Sequence, residues 1–379
     1  MGNIMDYIKW RGDLDLSASP FNEVDNLILS LLAYVNLDGI SVAAGQKGAG
    51  IRNIVDEFLK LHSEEELKKD KSFIRFAPFM MMDMAESERF GNCVIRNYVN
   101  EIATEEELQF AAMEILLDDG TSYIAFRGTD DTVIGWKEDF NLSIGVIPAQ
   151  KRAVEYVRRV SAGSERFLRI GGHSKGGNLA VYGAVMCEEA YDRLLEVYTN
   201  DGPGFDLEFQ KLAETKGMLS KITRIIPEHS IIGTLLEHRK EPVIVASSNK
   251  GLLQHDGFSW EVEGPAFVHR DSLEKSAQVF IDVLYKWIDG KDMEQRKLLI
   301  EDLFATIQAS GYENISEVQS GGLRSFTAML KRMEKFAPES RGMVRELIAA
   351  LFSGWLEQLQ ADTREKIPFL LQLHLGENP

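Results

Sequence analysis

The segment Phe167-Leu168-Arg169-Ile170-Gly171-Gly172-His173-Ser174-Lys175-Gly176-Gly177-Asn178-Leu179-Ala180 carries the side chain best placed to do chemistry, Ser174 in the motif Gly172-His173-Ser174-Lys175-Gly176. A serine hydroxyl serves as a nucleophile when a sharp turn between a strand and a helix strains its backbone and lifts Oγ clear of the main chain. Glycines on either side then keep neighbouring Cβ atoms out of the way. Apolar residues precede Ser174 and small residues follow it, so strand, turn and helix occur in the required order. A Gly-rich turn can also cradle phosphate, but the Lys-Ser/Thr pair of a P-loop and the dinucleotide-binding spacing are missing. The plain alternative is a serine in an ordinary tight turn.

Acyl transfer also needs hydrogen-bond donors aimed at a developing oxyanion, supplied by the residue after the nucleophile and by a loop after an earlier strand. The Lys175 N–H meets the first requirement. Thr129, in Ala125-Phe126-Arg127-Gly128-Thr129-Asp130 ahead of Trp136-Lys137-Glu138-Asp139, meets the second. The general base should be a histidine late in the chain. Of seven histidines, His62 and His374 lie outside the strand-and-helix region and His173 is the variable position of the turn. His255, in Gly251-Leu252-Leu253-Gln254-His255-Asp256, follows the last clear strand, ahead of His229, His238 and His269 as candidates. Two carboxylates compete as its partner. Asp201 ends a predicted strand and precedes Gly202-Pro203-Gly204, whereas Glu228 ends the next, Ile222-Thr223-Arg224-Ile225-Ile226-Pro227. Asp201 is favoured because its side chain would leave the strand end directly at the carboxyl edge of the sheet, where catalytic groups collect. Glu228 stays open as the alternative acid.

Those side chains need a scaffold. Apolar runs flanking Asp118-Asp119-Gly120 predict a β-hairpin over residues 108–126. Alternation follows, with a helix at 154–160, strands at 166–171 and 195–200, helices at 177–187 and 209–216, and strands at 222–226 and 242–247. Such alternation implies βαβ units and an α/β fold, a mostly parallel α/β-hydrolase-like sheet flanked by helices. Before it, Val24, Leu27, Ile28, Leu31, Leu32 and Val35 predict an amphipathic helix, as does the stretch from Ile51 to Leu61. The run Phe79-Met80-Met81-Met82-Asp83-Met84 reads as core or a packed helix face. Beyond Arg270 only helical spacing recurs, through Val279, Leu284, Leu298, Leu303, Leu330, Val344, Leu351 and Leu356. The expected organisation is a helical segment over 1–104 packed on the core, the catalytic core over 105–270 and a helical region over 271–379.

The net charge of −17 over 379 residues disfavours nucleic acid and anionic lipid surfaces as partners. Cys93 and Cys187 are far apart, with no neighbours at metal-ligand spacing, so buried reduced thiols are expected, and neither a disulfide nor a metal. No stretch reads as a signal peptide or a transmembrane segment, which points to the cytoplasm.

The Phe-Arg-Gly-Thr segment, the Trp and Asp after it and Gly-His-Ser-Lys-Gly-Gly-Asn-Leu-Ala together resemble the class 3 (fungal-type) lipases. The segments Asn200 to Phe205 and Gln254 to Asp256 resemble more closely a bacterial branch of lipase-like proteins. The resemblance spans residues 105–265 well. It implies an oxyanion-hole role for Thr129 and places the acid at the later strand, where this chain has Glu228-His229-Ser230 in place of the family's Asp before Val-Pro. The expected activity is a serine esterase or lipase acting on a small-molecule or lipid ester without cofactor. The alternatives are a binding or regulatory protein that keeps the fold, and a peptidase or acyltransferase using the same site. Oligomeric state is not legible.

Overall fold

The computed structural model describes residues 1–69, 72–103, 108–129, 142, 145–288, 293–309, 311–312, 317–318, 321–333, 336, 341–342 and 344–345. Eleven strands occur among them: β1 (Ala49–Gly50), β2 (Val94–Ala103), β3 (Leu108–Leu116), β4 (Ser122–Phe126), β5 (Leu168–His173), β6 (Leu194–Asn200), β7 (Ile222–Pro227), β8 (Val243–Val245), β9 (Val262–Glu263), β10 (Ala266–Phe267) and β11 (His269–Arg270). A nine-stranded sheet has the order β1-β2-β3-β4-β5-β6-β7-β8-β11, with β9 and β10 paired separately. Strands β4 to β8 are parallel, and the pairs outside them antiparallel. The expected 108–126 hairpin is β3 and β4, turned at Gly120, whose φ of 83° favours a residue without Cβ.

Helices α1 (Ile4–Arg11), α2 (Glu23–Leu32), α3 (Ile51–Leu61) and α4 (Ala77–Glu86) precede the parallel strands, and α5 (Pro148–Ala162), α6 (Lys175–Met186) and α7 (Leu207–Thr215) connect them. Because β4 to β7 follow chain order across the sheet, right-handed crossovers put α5, α6 and α7 on one face. There Tyr156, Val157, Leu179 and Ala184 join Ile124, Phe126, Ile170 and Val197 in one core. The alternating positions Tyr123, Ala125, Tyr198 and Ile225 point the other way, into a second core shared with α1, α2, α3 and α4. The sheet is thus covered on both faces in an α/β-hydrolase fold.

The short strands β1, β9, β10 and β11 were not expected, and two larger elements differ from expectation as well. The spacing of α2 predicts one apolar face, yet every residue from Val24 to Leu32 is buried. A helix with the sheet on one side and α4 on the other has no solvent face, and its polar residues are paired instead. Asp25 accepts from Arg89 Nε at 2.6 Å and from the Tyr7 hydroxyl at 3.0 Å, and Ser30 Oγ lies 2.8 Å from Tyr123 Oη. The second difference is β2, a strand inside the segment expected to be helical. A register shift between Arg96 and Val99, with Asn97 at φ 53°, breaks the alternation that marks a strand.

Met80, Met81 and Met84 are core residues on α4, and Cys93 and Cys187 are buried free thiols. After β11 come α8 (Lys275–Ile288), α9 (Met293–Gln308) and α10 (Gly322–Met333). Leu303 is buried, Val279 and Leu298 are exposed, and Leu351 and Leu356 lie outside the described residues. No described helix is long and apolar enough to cross a membrane.

Candidate active site

The carboxyl ends of β5 and β6 stand side by side, and the candidate residues gather there. Ser174 follows β5 at φ 57° and ψ −133°, a conformation few non-glycine residues adopt, and α6 begins at Lys175. Its N–H donates to Asn200 O at 2.9 Å, tying the turn to the end of β6. The glycines are sterically required. A Cβ at Gly172 would come within 2.3 Å of the Gly176 carbonyl, and one at Gly176 within 2.2 Å of Phe126 O. The β4 loop lies against the same turn, since a Cβ at Gly128 would meet Ser174 Cβ at 3.0 Å. Thr129 and Lys175 are both buried beside it. The Lys175 N–H belongs to the first turn of α6, at the N-terminal end of the helix.

Asp201 also has positive φ, 50°, which turns its side chain out of the end of β6. Its Oδ2 accepts from His255 Nδ1 at 2.6 Å. Its Oδ1 accepts from the Ser230 hydroxyl and from Gly233 N–H at 3.2 Å. With Nδ1–H facing the carboxylate, His255 keeps Nε2 as its proton-accepting nitrogen. Glu228 is turned elsewhere: its amide continues the pairing with Val245 O, and its carboxylate lies 3.4 Å from Arg270 Nε. The other candidate bases are likewise occupied in other places. His229 Nδ1 faces Glu274, His269 Nε2 faces Glu23, and His238 sits behind β6 and β7. Asp130, Trp136 to Asp139 and His374 lie outside the described residues.

Sequence reasoning set His173 aside, yet it is part of this arrangement. Its Nε2 lies 2.7 Å from the His255 carbonyl oxygen, which can only accept, so Nε2 carries the proton. Nδ1 then accepts from the Tyr34 hydroxyl at 3.1 Å. Burial, and next the neighbouring His255, push the His173 pKa well below the usual histidine range. Asn26, Ser30 and Asn200 were missed as well. Asn200 Nδ2 donates to Gly172 O at 3.1 Å and to Ser30 Oγ at 3.1 Å, and Asn26 Nδ2 donates to Asn200 Oδ1 at 2.8 Å. The available signal was a pair of polar residues four apart inside an otherwise apolar helix, which a buried helix tolerates only if they are paired. Gln254 anchors the histidine loop from the other side. It accepts from His229 N–H at 2.8 Å and donates to Glu274 at 2.9 Å.

Residues 84–305 match the model of the Mbeg1-like family, a class 3 lipase-like family, and the chain belongs to it. No curated protein matches. Similar solved structures include the Rhizomucor miehei lipase propeptide complex, 20% identical over 40% of this chain and 57% of that one, with a TM-score of 0.33. The chain thus spans little more than half of that lipase. The crystal structure of M37 lipase is 14% identical over 91% of this chain and 99% of that one, with a TM-score of 0.37.

Proposed function

We propose that this protein is a serine hydrolase of the esterase or lipase type, cleaving carboxylic esters through an acyl-enzyme on Ser174. The observation that carries the reading is the 2.6 Å contact between His255 Nδ1 and Asp201 Oδ2 at the sheet edge that presents Ser174. In this reading Ser174 Oγ attacks the acyl carbonyl carbon while its proton passes to His255 Nε2. Collapse of the tetrahedral intermediate breaks the ester C–O bond, and the alcohol leaves with that proton. Water then repeats the sequence and releases the carboxylic acid. Asp201 holds the imidazole through Nδ1, and Thr129 with the Lys175 amide receives the oxyanion. No metal or organic cofactor enters these steps.

The segments Asn200 to Phe205 and Gln254 to Asp256 support a bacterial branch of the family, and the two free cysteines support a reducing compartment, the cytoplasm. A second reading, a binding protein that retains the fold, draws on burial: Ser174 is 1% exposed and His255 5%. A fluorophosphonate probe decides between them. Labelling at Ser174 with turnover of short nitrophenyl esters, both lost in Ser174→Ala, is the expected result. Folded protein that neither labels nor turns over any such ester overturns the hydrolase reading.

A further inference from the structure

Glu274 stands just past the end of the expected core, at the head of α8. The Gln278 N–H donates to its carbonyl at 3.1 Å, so the helix fixes where its side chain starts. Its own N–H donates to the Glu228 carbonyl at 2.7 Å, which lays the head of α8 against the loop that follows β7. Its carboxylate faces two donors. Oε2 lies 3.2 Å from His229 Nδ1, and Oε1 accepts from Gln254 Nε2 at 2.9 Å. An ionised carboxylate can only accept, so His229 Nδ1 carries a proton. Gln254 Oε1 accepts from the His229 N–H at 2.8 Å, which leaves the amide nitrogen for Glu274. Glu274, His229 and Gln254 thus form a closed ring of three hydrogen bonds. His229 and Gln254 are buried, and polar groups that answer one another in a closed buried set are held in one arrangement.

Each buried member of the ring is next in sequence to a residue of the proposed site. Gln254 precedes His255, and its carbonyl accepts from Trp260 Nε1 at 2.9 Å. His229 precedes Ser230, whose hydroxyl donates to Asp201 Oδ1. One carboxylate therefore joins the loop that carries the proposed base to the loop that steadies its acid. Reacting groups must be held to within about 0.5 Å, and that support comes from residues that touch no substrate. His173 holds the His255 carbonyl. Glu274 acts on the residue before it.

We propose that Glu274 is a positioning residue for the reaction, keeping His255 and Asp201 in register through Gln254 and His229. The inference rests on the roles given to Ser174, His255 and Asp201 above. A carboxylate suits the place because its two oxygens take two donors at once, with charge-assisted strength. An aspartate, one methylene shorter, would not reach both. A glutamine would: its oxygen accepts from Gln254, and its nitrogen donates to His229 Nδ1 once the imidazole proton moves to Nε2.

The test is steady-state kinetics on short nitrophenyl esters, together with the rate of fluorophosphonate labelling at Ser174, in the full chain. Glu274→Ala should lower kcat and the labelling rate about tenfold or more with KM within about twofold, because a misplaced base slows the chemistry and leaves binding alone. Glu274→Gln should recover most of that loss, and Glu274→Asp should not. Glu274→Asp keeps the charge and serves if Glu274→Ala fails to fold. Tyr285→Phe loosens α8 elsewhere, by removing a hydroxyl that donates to Leu236 O at 2.6 Å. It should leave kcat within about twofold. An active wild type with Glu274→Ala within about twofold of it overturns this proposal and leaves the hydrolase reading standing. So does a Glu274→Gln protein as damaged as Glu274→Ala, a Glu274→Asp protein as active as wild type, a loss carried by KM, or an equal loss in Tyr285→Phe. A wild type that neither labels nor turns over overturns both.

Discussion

The imidazole of His173 donates from Nε2 to the backbone carbonyl of His255 across 2.7 Å, with the two rings 4.6 Å apart. The residue before the proposed nucleophile therefore holds the main chain of the proposed base, while Asp201 holds its side chain. Nucleophile turn and histidine loop come from distant parts of the chain, and this contact joins them.

If His173 positions His255, removing the imidazole should lower kcat with little change in KM. His173→Ala is expected to cost about 10- to 100-fold in kcat on short esters, as misplaced catalytic groups do. His173→Gln, which can still donate to the carbonyl, should recover part of that loss. Equal damage from Ala and Gln would mean that packing, not this hydrogen bond, is what matters.

The two carboxylates can be told apart kinetically. Asp201→Asn should reduce kcat by about 10⁴-fold with the fold intact, whereas Glu228→Gln should leave it within about threefold. Gly233→Ala offers a check that spares every titratable group, because its Cβ would fall 2.3 Å from Asp201 Oδ1. It should reduce activity in the same direction. The assignment fails if Glu228→Gln is the more damaging carboxylate change.

The buried pair of Asp25 and Arg89 ties α2 to the chain after α4. Arg89 also donates to the carbonyl of Ser19 at 2.9 Å. Truncating one partner strands the other, so Arg89→Ala should cost about 3–5 kcal/mol in urea unfolding. The double change Asp25→Leu with Arg89→Met should cost less than Arg89→Ala, since no charge is left unpaired. A larger loss in the double variant would show that the charges themselves are required.

Acid should destabilise this protein through two histidines. Burial holds His173 and His238 well below the usual range, aided by His255 in the first case and by Arg224 in the second. Their unfolded values lie near 6.5, so below that pH the unfolded chain binds protons that the folded chain refuses. The stability they contribute is complete above about pH 6.5 and is lost as pH falls, by up to about 1.4 kcal/mol per pH unit for each histidine. Urea unfolding at about pH 7.5 and 5.5 should show the loss. His238→Gln should flatten the pH dependence, and an unchanged slope would remove His238 from the account.

The strand, turn and helix around Ser174 were legible from residues 167–180 because their determinants are local. Apolar residues make β5, and glycines admit the close approach of Phe126 O and Gly176. The β3–β4 hairpin was legible for the same reason, its Asp-Gly turn being a short-range signal. Strand β2 was not, because its bulge at Asn97 spoils the alternation that a linear reading looks for.

What the sequence by itself determined is the α/β alternation, the elbow and a short list of candidate partners, since each follows from spacing within a few residues. Which carboxylate meets His255 was decided only by tertiary structure. Asp201 and Glu228 both end strands, and the choice lies in direction: a left-handed φ at Asp201 aims it at His255, while continued pairing with Val245 delivers Glu228 to Arg270. The cover on the second sheet face is of the same kind. Crossovers that all lie on one side leave the other bare, and only the folded chain shows α2 filling it, with Asn26 and Ser30 bonded to the end of β6.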